Sequence, residues 1–370
     1  MIEHVAVPDD AELERLGLYD PRAPDADDRL RIVKLLFELG GTVEEVTEAV
    51  RSFQWGDLAL DLSIRPPGET LDLDDYAESS GFDPDLVRQV WQALGLPGSG
   101  PVRVTPDAAT AVRVLIGLSG LVSAENTFAM ARVIGSSSAR MAEALIGAFR
   151  VDVEVPHIAA GEGAAARVQG TVDAGKELLP LFIEAANGVF RRHMVLASYQ
   201  LWSTDKDRAA VTHNLVVGFA DLVGSTEMVR AGSIAELARN VREFETRTWD
   251  VVARAAGRVV KLIGDEAMFV VEHPDRACAA ALELLETSPA PIRVGLAHGT
   301  VAALFGDYYG ETVNLAARLV GTAEPSTIVV SESVRDAVTE PGALRFDALE
   351  PQPLKGFPEP VPVFRLGRAR

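Results

Sequence analysis

The spacing of apolar residues changes character across one polar connector, STDKDRAAVTHN (203–214), and this change constrains the fold more than any other feature of the chain. Before it, apolar positions recur at helical spacing. After it, short apolar runs that suit strands alternate with amphipathic helical stretches. At 370 residues the chain is long for one domain, so two domains are expected. We place a helical domain at 1–202, a linker at 203–213 and a mixed strand–helix domain at 214–370.

Composition narrows the setting. Hydrophobic residues make up 48% of the chain, enough for each half to bury a core. No apolar run reaches the ~18 residues of a membrane span, and MIEHVAVPDD lacks the basic start and apolar middle of a signal peptide. Cys278 is the single cysteine, so no intrachain disulfide is available, and a reducing cytoplasm is expected. The net charge of −19 is uneven. Residues 1–100 hold 22 acids and 8 bases (−14), residues 101–210 hold 11 of each (0), and residues 211–370 hold 21 and 16 (−5). An acidic first hundred residues disfavours nucleic acid and anionic membrane as partners.

In the first half, residues 1–30 read as an irregular arm or short helix. A helix from Asp28 is ended by Gly40-Gly41, and Thr42 caps a second, TVEEVTEAVRSF, with Glu45 at the capping-box position. The segment 71–97 has a helix-turn-helix pattern about Gly81. Its second helix, from Asp83-Pro84, offers only Arg88 as a cation, so a helical packing unit is favoured over a DNA reader. Helices are expected over 107–151 and 172–202. The first is apolar over much of its circumference (Ala111, Val112, Val114, Leu115, Ile116, Leu118, Leu121, Val122), which suits a buried helix. A pocket for a small lipid or apolar ligand between helices is the sharper alternative.

In the second half the order runs strand (NLVVGFADL), helix (SIAELARNVREFETRTWDVVARAAG), strand pair (GRVVKLIGDEAMFVVE), helix (HPDRACAAALELLET), strand (IRVGLAHGTVAALFG), helix (ETVNLAARLVGTA), then strands STIVVS and PVPVFRL. This order suits helices laid on one face of a sheet.

Three segments carry polar residues of chemical interest. In FADLVGST (219–226) Asp221 ends an apolar strand, where a carboxylate can hold a divalent cation. Ser225 or Thr226 either frames a phosphate site or simply caps the next helix. In KLIGDEAMF (261–269) Gly264-Asp265 fits a hairpin turn. Asp265 is either structural there or, brought beside Asp221 by antiparallel pairing, half of a metal clamp. Lys261, four residues earlier, shares its face on an ideal strand. In GDYYGETVNLAARL (306–319) Gly306 and Gly310 bracket an exposed turn carrying Asp307. Asn314 and Arg318 lie one helical turn apart and could clamp a phosphate, or Arg318 could point to water.

Together these segments resemble the catalytic domain of class III nucleotidyl cyclases, over about residues 212–370 and in that family's order. The resemblance implies an α+β fold: a C-terminal ferredoxin-like cyclase domain, helices on an antiparallel-rich sheet, after an all-α regulatory domain. It implies that Asp221 and Asp265 hold two Mg²⁺ or Mn²⁺ ions per site, that Lys261 and Asp307 select adenine, and that Asn314 and Arg318 stabilise the transition state. Lys355, in LKGF, matches a phosphate-contacting lysine of some members. Guanine-selective relatives carry Glu and Cys where this chain has Lys261 and Asp307. An Asp acceptor and a Lys donor complement the adenine edge, whose N6 donates and N1 accepts.

The implied reaction is that of an adenylate cyclase, a phosphorus–oxygen lyase. The ribose 3′-oxygen of ATP attacks the α-phosphorus, giving 3′,5′-cyclic AMP and pyrophosphate. In the family each site forms between two catalytic domains, so a single such domain per chain implies a head-to-tail homodimer. The acidic helical half resembles the autoinhibitory, pH-responsive domain joined to such cyclases in actinobacteria. His193 and His213, near the connector, are the titratable candidates for pH sensing. Two alternatives remain, a catalytically silent nucleotide sensor and a DNA-binding regulator. The intact aspartates argue against the first and the charge map against the second.

Overall fold

The structure is a computed structural model that describes residues 7–68, 70–97, 103–202, 212–224 and 234–369. It divides into two compact units, Met1–Ala197 and Ser198–Arg370.

The first unit is helical. Among the described residues its α-helices are α1 (Asp10–Arg15), α2 (Ala26–Glu38), α3 (Val43–Ser52), α4 (Trp55–Ile64), α5 (Leu73–Ser79), α6 (Pro84–Ala93), α7 (Pro106–Leu118), α8 (Ala124–Phe149), α9 (Val155–Ala159) and α10 (Ala164–Trp202), with a π-helical turn at Arg150–Glu154. The Thr42–Glu45 capping box at α3 forms as expected. Leu13, Ile32, Leu36, Phe37, Val46 and Val172 belong to one core and Val87, Val90, Trp91, Val112 and Leu115 to another.

Three expectations change. The stretch 107–151 is broken, because α7 stops at Leu118 and Ser123 caps a new helix. The last helix starts at Ala164 rather than 172, because Asp28 Oδ2 accepts from the Ala164 N–H at 2.7 Å. A cap supplied from 136 residues away leaves no local sequence signature. Helix α7 is buried on one side only, with Val112, Leu115 and Ile116 inside and Val114 exposed, and Leu121, just past its end, is exposed as well. Arg88 of α6 is paired with Asp74 and Asp85. An open depression of about 260 Å³ beside it is lined by Gln89, Gln92, Ala93, Phe128 and Arg132. No described helix is long and apolar enough to cross a membrane.

The second unit holds β1 (Thr212–Leu222), α11 (Ile234–Arg254), β2 (Arg258–Ile263), β3 (Glu266–Val271), α12 (Pro274–Thr287), β4 (Ile292–Leu304), β5 (Asp307–Tyr309), α13 (Glu311–Thr322), β6 (Thr327–Ser331), α14 (Glu332–Ala337), β7 (Leu344–Ala348) and β8 (Val363–Arg368). Its first six described elements make the βαββαβ unit of a ferredoxin-like fold. The sheet runs β2-β3-β1-β4-β6-β8-β7, with β5 against β4. Among the described strands only β4 and β6 pair in parallel.

Alternation along β1 sorts the sheet into two faces. Val216, Ala220 and Leu222 pack with Phe244 and Val252 of α11 and Ala281 of α12. Leu215, Val217 and Phe219 pack with Ala316, Leu319 and Val320 of α13. Helices therefore cover both faces, not one. The apolar stripe of α13 matches the second face, and Gly295 of β4 lets the helix come close. A Cβ at Gly295 would stand 2.3 Å from Val320 N and 2.7 Å from Ala316 O, both backbone atoms. Gly295→Ala is therefore expected to destabilise the unit by about 1–3 kcal/mol. Urea unfolding followed by circular dichroism checks this; an unchanged midpoint would refute the close approach.

Candidate active site

Three charged side chains form a row across three adjacent strands. Asp221 of β1 lies opposite Glu266 of β3 and opposite Arg293 of β4. By alternation with Phe219, Asp221 faces the α13 side of the sheet. The Arg293 guanidinium donates through Nη2 to Asp221 Oδ2. Asp221 lies deeper, its side chain 14% exposed against 33% for Arg293.

Asp265 reaches this row from the β2–β3 turn. Gly264 has φ +66°, while Asp265 is not among the residues of positive φ. Positive φ at the first position alone is the pattern of a type II′ hairpin. The Leu222 N–H donates to the Asp265 carbonyl at 3.1 Å, tying the end of β1 to the turn. The two aspartates expected to act together are thus neighbours. Burial pushes the Asp221 carboxyl up; Arg293 pulls it down, and the Asp265 charge adds a smaller upward push. Glu266 is likewise raised, first by burial and then by Asp221 and Asp265.

Lys261 and Asp307 are also brought together. A bulge in β2 between Val259 and Lys261 resets the alternation, and Lys261 Nζ meets Asp307 Oδ2 at 2.5 Å. Asp307 does not sit in an exposed turn, as its flanking glycines suggested. It opens β5, opposite Leu304, after a two-residue turn with Phe305 at φ +49° and Gly306 at +84°. Two positive φ values make this a type I′ hairpin, whose twist suits tight antiparallel pairing. Asp307 Oδ1 accepts from the Tyr308 N–H at 2.8 Å, which fixes the carboxylate.

Asn314 and Arg318 are exposed on α13. Their side chains have no hydrogen-bond or ion-pair partner among the described residues, so both are available to a ligand. The helix beneath them is fixed, since Thr312 Oγ1 donates to the Thr300 carbonyl at 3.0 Å. Lys355 is exposed in a turn with Gly356, next to the buried Leu354. His193 is exposed on α10. His213 is half-buried on β1, its ring edge-on to Tyr308 at 6.4 Å. Ser225 and Thr226 lie outside the described residues.

The donor set fits a divalent cation in one particular way. Among the described residues no three His, Cys, Asp or Glu side chains converge on a metal position. Asp221 and Asp265 offer two carboxylates, which suits an ion such as Mg²⁺ that keeps waters and takes its remaining ligands from substrate phosphates. Burial pushes the Cys278 thiol up to about 12, leaving it inert.

Glu266 and Arg293 are absent from the residues singled out in the sequence. A signal existed for Arg293, a lone cation between the apolar Ile292 and Val294 of a buried strand. Such a charge requires a partner.

Residues 208–366 match the family described as adenylate and guanylate cyclase catalytic domain. An adenylate cyclase of Streptomyces coelicolor is 35% identical over 262 residues, 69% of this chain and 68% of that one. An uncharacterized protein of Mycobacterium tuberculosis is 35% identical over 364 residues, 96% of this chain and 93% of that one. A protein of the same species named pH-sensitive adenylate cyclase is 26% identical over 395 residues, 100% of this chain and 95% of that one.

The carboxylate row has a consequence for stability. A carboxyl whose pKa is higher in the folded than in the unfolded chain weakens the fold while it is ionised, and the penalty lifts as falling pH protonates it. With chelator present, Glu266→Gln is expected to raise Tm near neutral pH. That gain should shrink as falling pH protonates Glu266 in the folded chain and be gone once the unfolded carboxyl is protonated too, below about pH 4. Thermal melts over these pH values check it; a gain that grows with acidity would contradict the assignment.

Proposed function

Because the chain belongs to the adenylate and guanylate cyclase family, we propose that it converts ATP into 3′,5′-cyclic AMP and pyrophosphate. The observation that carries the choice of ATP is the Lys261–Asp307 pair at 2.5 Å. Its Asp accepts from the adenine N6 amino group and its Lys donates to N1; guanine, with O6 and N1–H, reverses both roles. The relatives named adenylate cyclase support the same choice.

Asp221 and Asp265 hold Mg²⁺ or Mn²⁺ together with the triphosphate. Ions held there by Asp221 and Asp265 would supply Lewis acidity at the phosphates and at the 3′-hydroxyl. The 3′-oxygen loses its proton to solvent and bonds to the α-phosphorus, and the bond from that phosphorus to the pyrophosphate oxygen breaks. Asn314 and Arg318, one turn apart, donate to the oxygens of the reacting phosphate as charge shifts among them. Lys355 is a further phosphate contact.

The working unit is a head-to-tail homodimer with two composite sites, Asp221 and Asp265 coming from one chain and Lys261, Asp307, Asn314 and Arg318 from its partner. Two features support a second copy. The Asn314 and Arg318 side chains lack partners among the described residues. Helices α8 and α10 leave Val133, Ile134, Met141, Leu178, Leu181 and Phe190 exposed, in a stretch whose acids and bases balance. Apolar faces of this kind mark association surfaces. The helical unit acts as an autoinhibitory, pH-responsive regulator of a cytoplasmic enzyme, with His193 on α10 and His213 on β1 of the second unit as the sensing candidates. The relative named pH-sensitive aligns along the whole chain, which supports this role.

Incubation with Mn²⁺ and either ATP or GTP, followed by product separation, is expected to give cyclic AMP from ATP in preference to cyclic GMP from GTP. Binding without product would leave only a nucleotide sensor. Asp265→Ala and Arg318→Ala are each expected to lower kcat by about a hundredfold or more. Mixing the two inactive chains should restore about a quarter of wild-type activity, because half the dimers then hold one intact site. A mixture no more active than its parts would refute the composite site.

A further inference from the structure

We propose that Arg293 and the divalent cation compete for Asp221, so that Arg293 acts as a guard that must release the carboxylate before the cation binds. This rests on the reading of Asp221 as a metal ligand. The contested atom is Asp221 Oδ2, which accepts the Arg293 Nη2–H. A cation at that oxygen would sit about 2.1 Å away, against a guanidinium already bonded to the same atom, and like charges so close repel strongly.

Geometry favours the incumbent. Arg293 is the more exposed of the two, and Asp221, which it bonds, lies deeper. The row is held by strand pairing on both flanks, Asp221 opposite Glu266 and opposite Arg293, so backbone movement does not separate the pair. Release must come from rotation of the Arg293 side chain. Its Nε is buried and lacks a hydrogen-bond partner among the described residues. The present position is therefore incompletely satisfied, and an anion arriving with the cation would gain that donor. Loading is consequently ordered: the cation alone faces the guard, whereas a cation carried by a polyphosphate brings the negative charge that draws Arg293 away.

Mn²⁺ alone, titrated into the full chain without nucleotide and followed by electron paramagnetic resonance of the free ion, tests the competition. Arg293→Met is expected to bind Mn²⁺ about tenfold or more tightly than the wild type. Arg293→Lys keeps a charge but loses the fork, and should give a smaller gain. It also serves if circular dichroism shows the Met variant unfolded. Arg365→Met, which removes a cation paired instead with Glu324, should change Mn²⁺ affinity less than about twofold. Unchanged or weaker Mn²⁺ binding in both Arg293 variants overturns the guard, as does a gain in Arg365→Met equal to theirs. Tight Mn²⁺ binding that survives in an Arg293→Met, Asp221→Asn double variant overturns instead the metal assignment beneath it. The product assay on the wild type separately judges the cyclase reading.

Discussion

The antiparallel register of β1 against β4, eleven residue pairs from Thr212↔Ala302 to Leu222↔Ile292, is the constraint on which the second unit depends. It sets Arg293 opposite Asp221. With the β1–β3 pairing it also lines Glu266, Asp221 and Arg293 across the sheet. A slip of one residue would turn Asp221 toward the face that holds Val252 and Ala281 and away from Arg293. The apolar alternation that holds Val216 on one face and Val217 on the other is thus also what aims the carboxylate.

The same sheet brings opposite charges together in two places. Lys261 and Asp307 meet across strands 46 residues apart, and Arg293 and Asp221 across strands 72 apart. Each pair keeps a half-buried charge tolerable without a ligand. Each also presents groups that a nucleotide can take over: a donor beside an acceptor at one end, carboxylates beside a guanidinium at the other. The exposed Asn314 and Arg318 behave differently, because the solvated helix surface that carries them needs no internal counter-ion.

Much of this organisation was legible in the chain. The βαββαβ order, the capping box at Thr42 and the Gly264–Asp265 turn all follow from local pattern, and each appears where expected. The second covered face was not legible, because nothing in ETVNLAARLVGTA tells which side of a sheet its stripe meets. Strand β5 was hidden for a related reason: three residues give no alternation to read, and the flanking glycines looked like a loop. The start of α10 depends on Asp28, far away in the sequence. Asp221, Lys261, Asp265 and Asp307 stood out through their turns and strand ends, while Glu266 and Arg293 acquire meaning only from register, which a single strand does not reveal.

The close contact at Gly295 has a mechanical consequence. With backbone against backbone at Val320 and Ala316, and Thr312 bonded to Thr300, α13 has no slack against β4. Asn314 and Arg318 ride on that helix as on a rigid plate. The placement of these two side chains is therefore set by the sheet itself rather than by a loop, and a change in their reach requires a change in the packing of α13 on β4.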